Sequence, residues 1–312
     1  MSPDPVSRAI AARLGTFAIP RNRLTVDRGA AVVRTGLAVL DETRDMPVRL
    51  GSLIDVTGVS LSGKTQVLHF IAAYALLNRT CGNGPVVCWY DLNRGLDPNR
   101  LRQMIISKQR QGGSNVTERD ISDLDGLLVY RPSSTLSLCA SIHDLKRFLS
   151  AEGAGVQTVI IDSLGSFHYM DKYEFDSGLR DSSTMKQSIE LVLARVLEPI
   201  LSLRKVVVYV SKSCLFDEVK LDIPWPFPRA GVPSMPKDFM PDLWKNLTSH
   251  IILMYHIEST SSDYNNGARR GVVAMYYKDP QKNLIRKPVV GSASLATINN
   301  DGLFFESLHV AG

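Results

Sequence analysis

The chain of 312 residues is 44% hydrophobic with a net charge of +5, enough apolar material for one large α/β domain or two small ones and too mild a charge to require a nucleic-acid partner. No apolar run reaches the roughly 18 residues of a membrane span, and "MSPDPVSRAIAARLG" lacks the apolar centre and cleavage site of a secretory leader, so no membrane span and an intracellular address are expected. Cys81, Cys88, Cys139 and Cys214 show no Cys-x-x-Cys spacing, which argues against a zinc site and for reduced, structural thiols.

Residues 1–44 carry scattered arginines (Arg8, Arg13, Arg21, Arg23, Arg28, Arg34) and read as an extension and linker; residues 45–312 read as the core domain. From "RLGSLIDVTG" onward, apolar runs alternate with helical periodicity. "SLIDVTG" is followed by a helix from Thr65 to about Asn78. "VVCWYD" leads to a second helix with Asp97 as N-cap and Pro98 at its first position. "LLVYR", a helix ending at "AEGAG", "VQTVIID", a helix of about twenty residues from Ser182 and "VVVYV" complete the series. Near-continuous apolar strands separated by amphipathic helices predict a parallel sheet covered on both faces. Six prolines between residues 214 and 241 predict a long loop, because proline neither continues a helix nor donates in a central strand. Beyond it, "HIILMYHIE", "RRGVVAMYYK" and "LATINNDGLFFES" read as antiparallel strands, with "NDG" as a hairpin signal.

Between the first strand and its helix lies Gly58-Val59-Ser60-Leu61-Ser62-Gly63-Lys64-Thr65, which fits G-x-x-x-x-G-K-[ST]. In this pattern a glycine-containing loop turns its N–H groups toward phosphate and passes it to a helix N-terminus. Lys64 is expected to meet the β- and γ-phosphates and the Thr65 hydroxyl a Mg²⁺ ion. Asp162, at the end of the apolar run "VQTVIID", is the expected acid that holds the same ion, through water.

These stretches, with "TGLAVLDETRDMPVRLGSLIDVTGVSLSGKTQVLHFIA" and "VVCWYDLNRGLDPNRL", resemble the RecA-type strand-exchange recombinases and their eukaryotic paralogues over about residues 35–305. The resemblance implies a RecA-like phosphate-loop ATPase core with ATP and Mg²⁺ as cofactors, a nuclear address and a part in homologous-recombination DNA repair. It also exposes departures. Active members carry a glutamate two residues past the strand-end Asp as general base; counting from Asp91 reaches Asn93, and an amide cannot take a proton near neutral pH. Where the family has a Thr-Asn-Gln stretch that senses the γ-phosphate, this chain has Ser211, Lys212 and Ser213. Weak or absent ATPase activity is therefore expected.

The counterpart of the family's first DNA loop, "MDKYEFDSGLRDSS", carries more acids than bases and would repel phosphate, as would the proline-rich stretch. Arg269, Arg270 and Lys278, beside Tyr276 and Tyr277, are the better candidates for single-stranded DNA; the alternative is a solvated hairpin with charge-protected edges. The family's Phe-x-x-Ala polymerisation motif finds "FAIP" at residues 17–20, which does not match. A terminal subunit bound to another paralogue, acting indirectly on the strand-exchange recombinase, is expected. An active DNA-dependent ATPase or recombinase is the alternative, and a small-molecule kinase a third reading that finds no arginine-rich lid.

Overall fold

The computed structural model describes residues 31–42, 46–78, 87–111, 124, 126–150, 155–177, 189–213, 221–222, 231–233, 240–256, 269–277, 293–299 and 302–307. A short helix α1 (Ala38–Asp41) precedes β1 (Leu53–Gly58), α2 (Lys64–Leu77), β2 (Val87–Asp91), α3 (Pro98–Gln111), β3 (Leu127–Tyr130), α4 (Thr135–Ser150) and β4 (Thr158–Asp162). Next come α5 (His168–Asp176), α6 (Ile189–Ser202), β5 (Val207–Ser213), a ribbon of β6 (Leu221–Asp222) and β7 (Gly231–Pro233), and α7 (Asp242–Leu247). The chain then runs through β8 (Thr248–His256), β9 (Arg269–Tyr277), β10 (Ala293–Asn299) and β11 (Gly302–Ser307).

Nine strands form one sheet in the order β11-β10-β9-β8-β1-β5-β4-β2-β3. The six from β8 to β3 are parallel, while β9, β10 and β11 extend the sheet antiparallel at one side. Every residue of β1, β2 and β4 is buried, as expected of parallel strands sandwiched between helices. The period of two sorts them into two cores. Ile54, Val56, Trp89, Ile160 and Tyr209 face Val67, Leu68 and Ile71 of α2 and Leu101 and Met104 of α3. Leu53, Cys88, Val159, Val208 and Val210 face Leu138 and Ile142 of α4, Leu197 and Ile200 of α6 and Trp244 of α7. Leu37, Val39 and Leu40, in the segment read from sequence as the extension, are buried in the first of these cores.

Several sequence expectations change. The stretch after β5 is not wholly loop, because it contains the short β6–β7 ribbon. The helix expected from Ser182 is described from Ile189, residues 181–188 lying outside the described set. The acidic loop near residue 170 is in part the helix α5. β9 pairs with both β8 and β10, so it is an interior strand and not a protected edge. Asn299 opposes Gly302 across the β10–β11 turn, the hairpin that "NDG" announces. No helix among the described residues is long and apolar enough to cross a membrane.

Candidate functional site

The carboxyl ends of β1, β2, β4 and β5 converge, with Gly58 opposite Ser213 and Asp91 opposite Asp162. In an open parallel sheet this is the end at which ligands bind, where the strand order changes direction. That point lies between β4 and β2, neighbours whose chains continue to β5 on one side and β3 on the other, and Asp162 and Asp91 end these two strands.

The loop from β1 to α2 needs its two glycines. A Cβ on Gly58 would stand 2.5 Å from the Met254 carbonyl oxygen and 2.6 Å from Ser62 Oγ. Gly63 has φ +92°, and a Cβ there would also meet Ile298 Cδ1 at 2.7 Å. Because Gly63 is the N-cap of α2, no side chain covers the first-turn N–H groups, which leaves them for an anion. Leu61, at φ +64° and 80% exposed, holds a left-handed backbone unusual for so bulky a residue. Lys64 folds back, its Nζ donating to the Gly58 carbonyl at 3.0 Å and the Val59 carbonyl at 2.7 Å.

Asp162 is fully buried at the end of β4. Its Oδ1 accepts the Thr65 hydroxyl at 3.3 Å and the Ser211 hydroxyl, while Oδ2 is buried with no partner among the described residues. Burial raises its carboxyl pKa above the ordinary value; the hydroxyls of Ser211 and Thr65 pull the other way, and nearby Asp91 adds to the rise. An orphaned carboxylate oxygen next to a threonine hydroxyl is a hard-oxygen set that suits Mg²⁺ retaining several waters. The residues fit that ion.

Asn93 is at this site, but its amide is engaged: Oδ1 accepts the Gly95 N–H at 3.0 Å in a local turn. A Cβ on Gly95 would lie 2.9 Å from Asn93 Oδ1 and 3.4 Å from Asp162 Oδ2, so the two side chains flank the same glycine. The phosphate loop, Asn93, Asp162 and Ser213 line one cleft of about 660 Å³, within the size range of small-ligand pockets.

Sequence reasoning missed two contributors. His69, one helical turn after Thr65, donates from Nδ1 to the Thr65 carbonyl at 2.7 Å and accepts the Asp97 N–H at Nε2 at 3.0 Å. That pair of bonds requires the neutral ring, and burial lowers its pKa accordingly. Its spacing of four from Thr65 was the available signal. Arg100 forms the far wall, donating to Gln66 Oε1 at 3.0 Å and the Asn299 carbonyl at 2.6 Å. With partners 34 and 199 residues away, no local pattern announces it. Lys212, in the stretch that stands where the family has its γ-phosphate sensor, points to the other face of β5 and pairs with Asp55 at 2.6 Å.

Of the DNA candidates, Arg269 and Arg270 open β9, opposite Ile298 and Thr297, and Lys278 lies outside the described residues.

The fold and the site define a phosphate-loop α/β protein of the RecA-like class. No family model matches the chain. It is similar to the DNA repair protein XRCC2 homolog of Arabidopsis thaliana, 25% identical over 273 residues that cover 71% of this chain and 72% of that one. It is 28% identical over 177 residues to the human DNA repair protein RAD51 homolog 2, covering 56% of this chain and 44% of the relative. Against the mouse DNA repair protein RAD51 homolog 4 it is 28% identical over 138 residues, covering 43% and 39%. The chain thus spans most of the first relative and less than half of the other two. The similarity is thus to DNA repair proteins of the XRCC2 and RAD51-homolog type.

Proposed function

We propose that the chain is a nucleotide-binding accessory subunit in homologous-recombination DNA repair, working in the nucleus in a complex with other paralogues and through them on the strand-exchange recombinase. The observation that carries the reading is a phosphate loop with a magnesium-competent acid beside it and an engaged amide, Asn93, where hydrolysis needs a carboxylate. The relatives, all DNA repair proteins by name, support the same role.

In this reading the loop amides of residues 58–65 orient the phosphates of ATP, and Lys64 exchanges its two loop carbonyls for phosphate oxygens. Thr65 and Asp162 would hold Mg²⁺, which when bound neutralises phosphate charge. Asn93 positions water without deprotonating it, so the nucleotide is held and not turned over. Arg269, Arg270 and Lys278 are the proposed contacts to single-stranded DNA, weak in the isolated chain.

The test is ATP turnover by the purified protein with and without single-stranded DNA. Hydrolysis near background is expected, rising in Asn93→Glu when a neighbouring subunit completes the pocket. Brisk wild-type turnover stimulated by DNA would establish an active DNA-dependent ATPase instead. Replacing Arg269, Arg270 and Lys278 together should weaken binding of a labelled oligonucleotide and flatten its salt dependence, measured by fluorescence anisotropy. Unchanged affinity and slope would remove these residues from the DNA interface.

A further inference from the structure

The turn after Asp162 is short and tightly bonded. The Leu164 N–H donates to the Ser211 carbonyl at 2.8 Å, Ser166 to Ser163 at 3.0 Å and His168 to Gly165 at 3.1 Å. Helix α5 follows at once and is fixed at its base. Phe167 packs against the core on that side of the sheet, and Asp171 Oδ2 accepts the Thr135 hydroxyl of α4 at 2.5 Å.

Pinning α5 in this way turns Tyr169, Met170 and Tyr173 outward, where they are 73%, 62% and 65% exposed. Spacings of three and four put Met170 and Tyr169 beside Tyr173 on one helical face. Single exposed apolar residues are ordinary, but three contiguous ones on a nine-residue helix form a patch of the kind that marks an interaction site. The helix is also acidic: α5 carries Asp171, Glu174 and Asp176 against Lys172, a formal charge of −2, with Asp171 turned inward to Thr135 and Glu174 and Asp176 toward the helix's end.

We propose that this face of α5 docks a partner protein that presents apolar side chains set among lysines and arginines. Tyrosine and methionine are enriched at the centres of protein interfaces. A nucleic-acid strand could stack on the tyrosines, but its phosphates would meet the helix's acids; a basic protein surface would not. An aromatic side chain buries about 150–250 Å², so the three residues would supply on the order of half of the roughly 800 Å² that one partner gives to a standard interface. The inference rests on the reading of the chain as a complex subunit and adds where the partner sits: on the helix that begins six residues past Asp162.

The experiment uses the complex recovered from the cells that make it, the full chain carrying the photo-crosslinker p-benzoylphenylalanine in place of Tyr173 or, as a control on α4, in place of Phe148. Irradiation should join position 173, and not 148, to a partner protein at a segment that mass spectrometry shows to be net basic. Glu174→Lys with Asp176→Lys should reduce that adduct at least tenfold without lowering the melting temperature. A crosslink to DNA, to residues 1–30 of the chain itself or to an acidic segment overturns the proposal, as does a charge-reversed variant that crosslinks undiminished. A complex that forms but gives no adduct at 173 defeats this inference alone. Recovery of the chain with no partner protein defeats both it and the accessory-subunit reading.

Discussion

Asp55 and Asp162 stand at the same depth on opposite faces of one sheet, 1% and 0% exposed, yet their surroundings differ in kind. Asp55 is surrounded by donors: Lys212 Nζ at 2.6 Å, Trp244 Nε1 at 3.2 and 3.1 Å, and the Thr248 hydroxyl at 3.3 Å. This cluster joins β1, β5, α7 and the start of β8, and it bridges the two roots of the segment between β5 and α7. Asp162 receives two hydroxyls on one oxygen and none on the other. A buried acid whose partners are all protein groups holds structure together, whereas one left with an orphaned oxygen at the mouth of a cleft is equipped for a ligand. Alternation along β5 produces both: Ser211 reaches Asp162 from one face and Lys212 reaches Asp55 from the other.

The largest effect is expected on the completed side. Lys212→Met leaves the Asp55 carboxylate buried without its cation, which costs about 3–5 kcal/mol when a buried pair loses one member. Chemical denaturation should show that loss in the midpoint with an unchanged slope. Combining it with Asp55→Asn should recover much of the stability, because removing both charges avoids the unpaired ion. A single variant as stable as the wild type would show that the cluster is not what holds the two strands to α7.

On the open side the expected effect is on binding. Lys64→Ala removes the ammonium that neutralises phosphate and should weaken a fluorescent ATP analogue at least tenfold, about 1.4 kcal/mol. Its stability should change less than that of the Lys212 variant, since Lys64 donates to neutral loop carbonyls whereas Lys212 neutralises a buried carboxylate. Equal affinity in the variant would mean that the loop no longer serves a nucleotide.

The difference between the two sides also explains what the sequence discloses. The loop from Gly58 to Thr65 is legible because its chemistry lies within eight residues and its glycines are required by backbone geometry. Asp162 and Asn93 are legible because each is counted from the end of an apolar strand. Asp55 and Lys212 are not, since their relation exists only once β1 and β5 pair and the sheet's alternation sends Lys212 away from its neighbours. Helix α5 is hidden for a different reason: its exposed face is the apolar one, so its polarity runs against the rule by which a helix is read from sequence.

The smallest expected effect sharpens the contrast most. Burial raises the Asp162 pKa, so the folded protein favours the protonated carboxyl. The stability this contributes is fully present below the unfolded value of 3.8 and is lost as pH rises through the folded value. At neutral pH the ionised group is therefore a cost to folding, and Asp162→Asn should raise the melting temperature of the protein by a few degrees when neither nucleotide nor Mg²⁺ is added. The gain should shrink as the solution is acidified toward pH 4, where the wild-type carboxyl is increasingly neutral in both states. Adding Mg²⁺ with a non-hydrolysable ATP analogue should reverse the order, since the wild type then gains a cation for its orphaned oxygen and the amide does not. A variant that melts below the wild type at neutral pH without ligand would mean that Asp162, like Asp55, is complete within the protein, and the distinction between the two aspartates would fall.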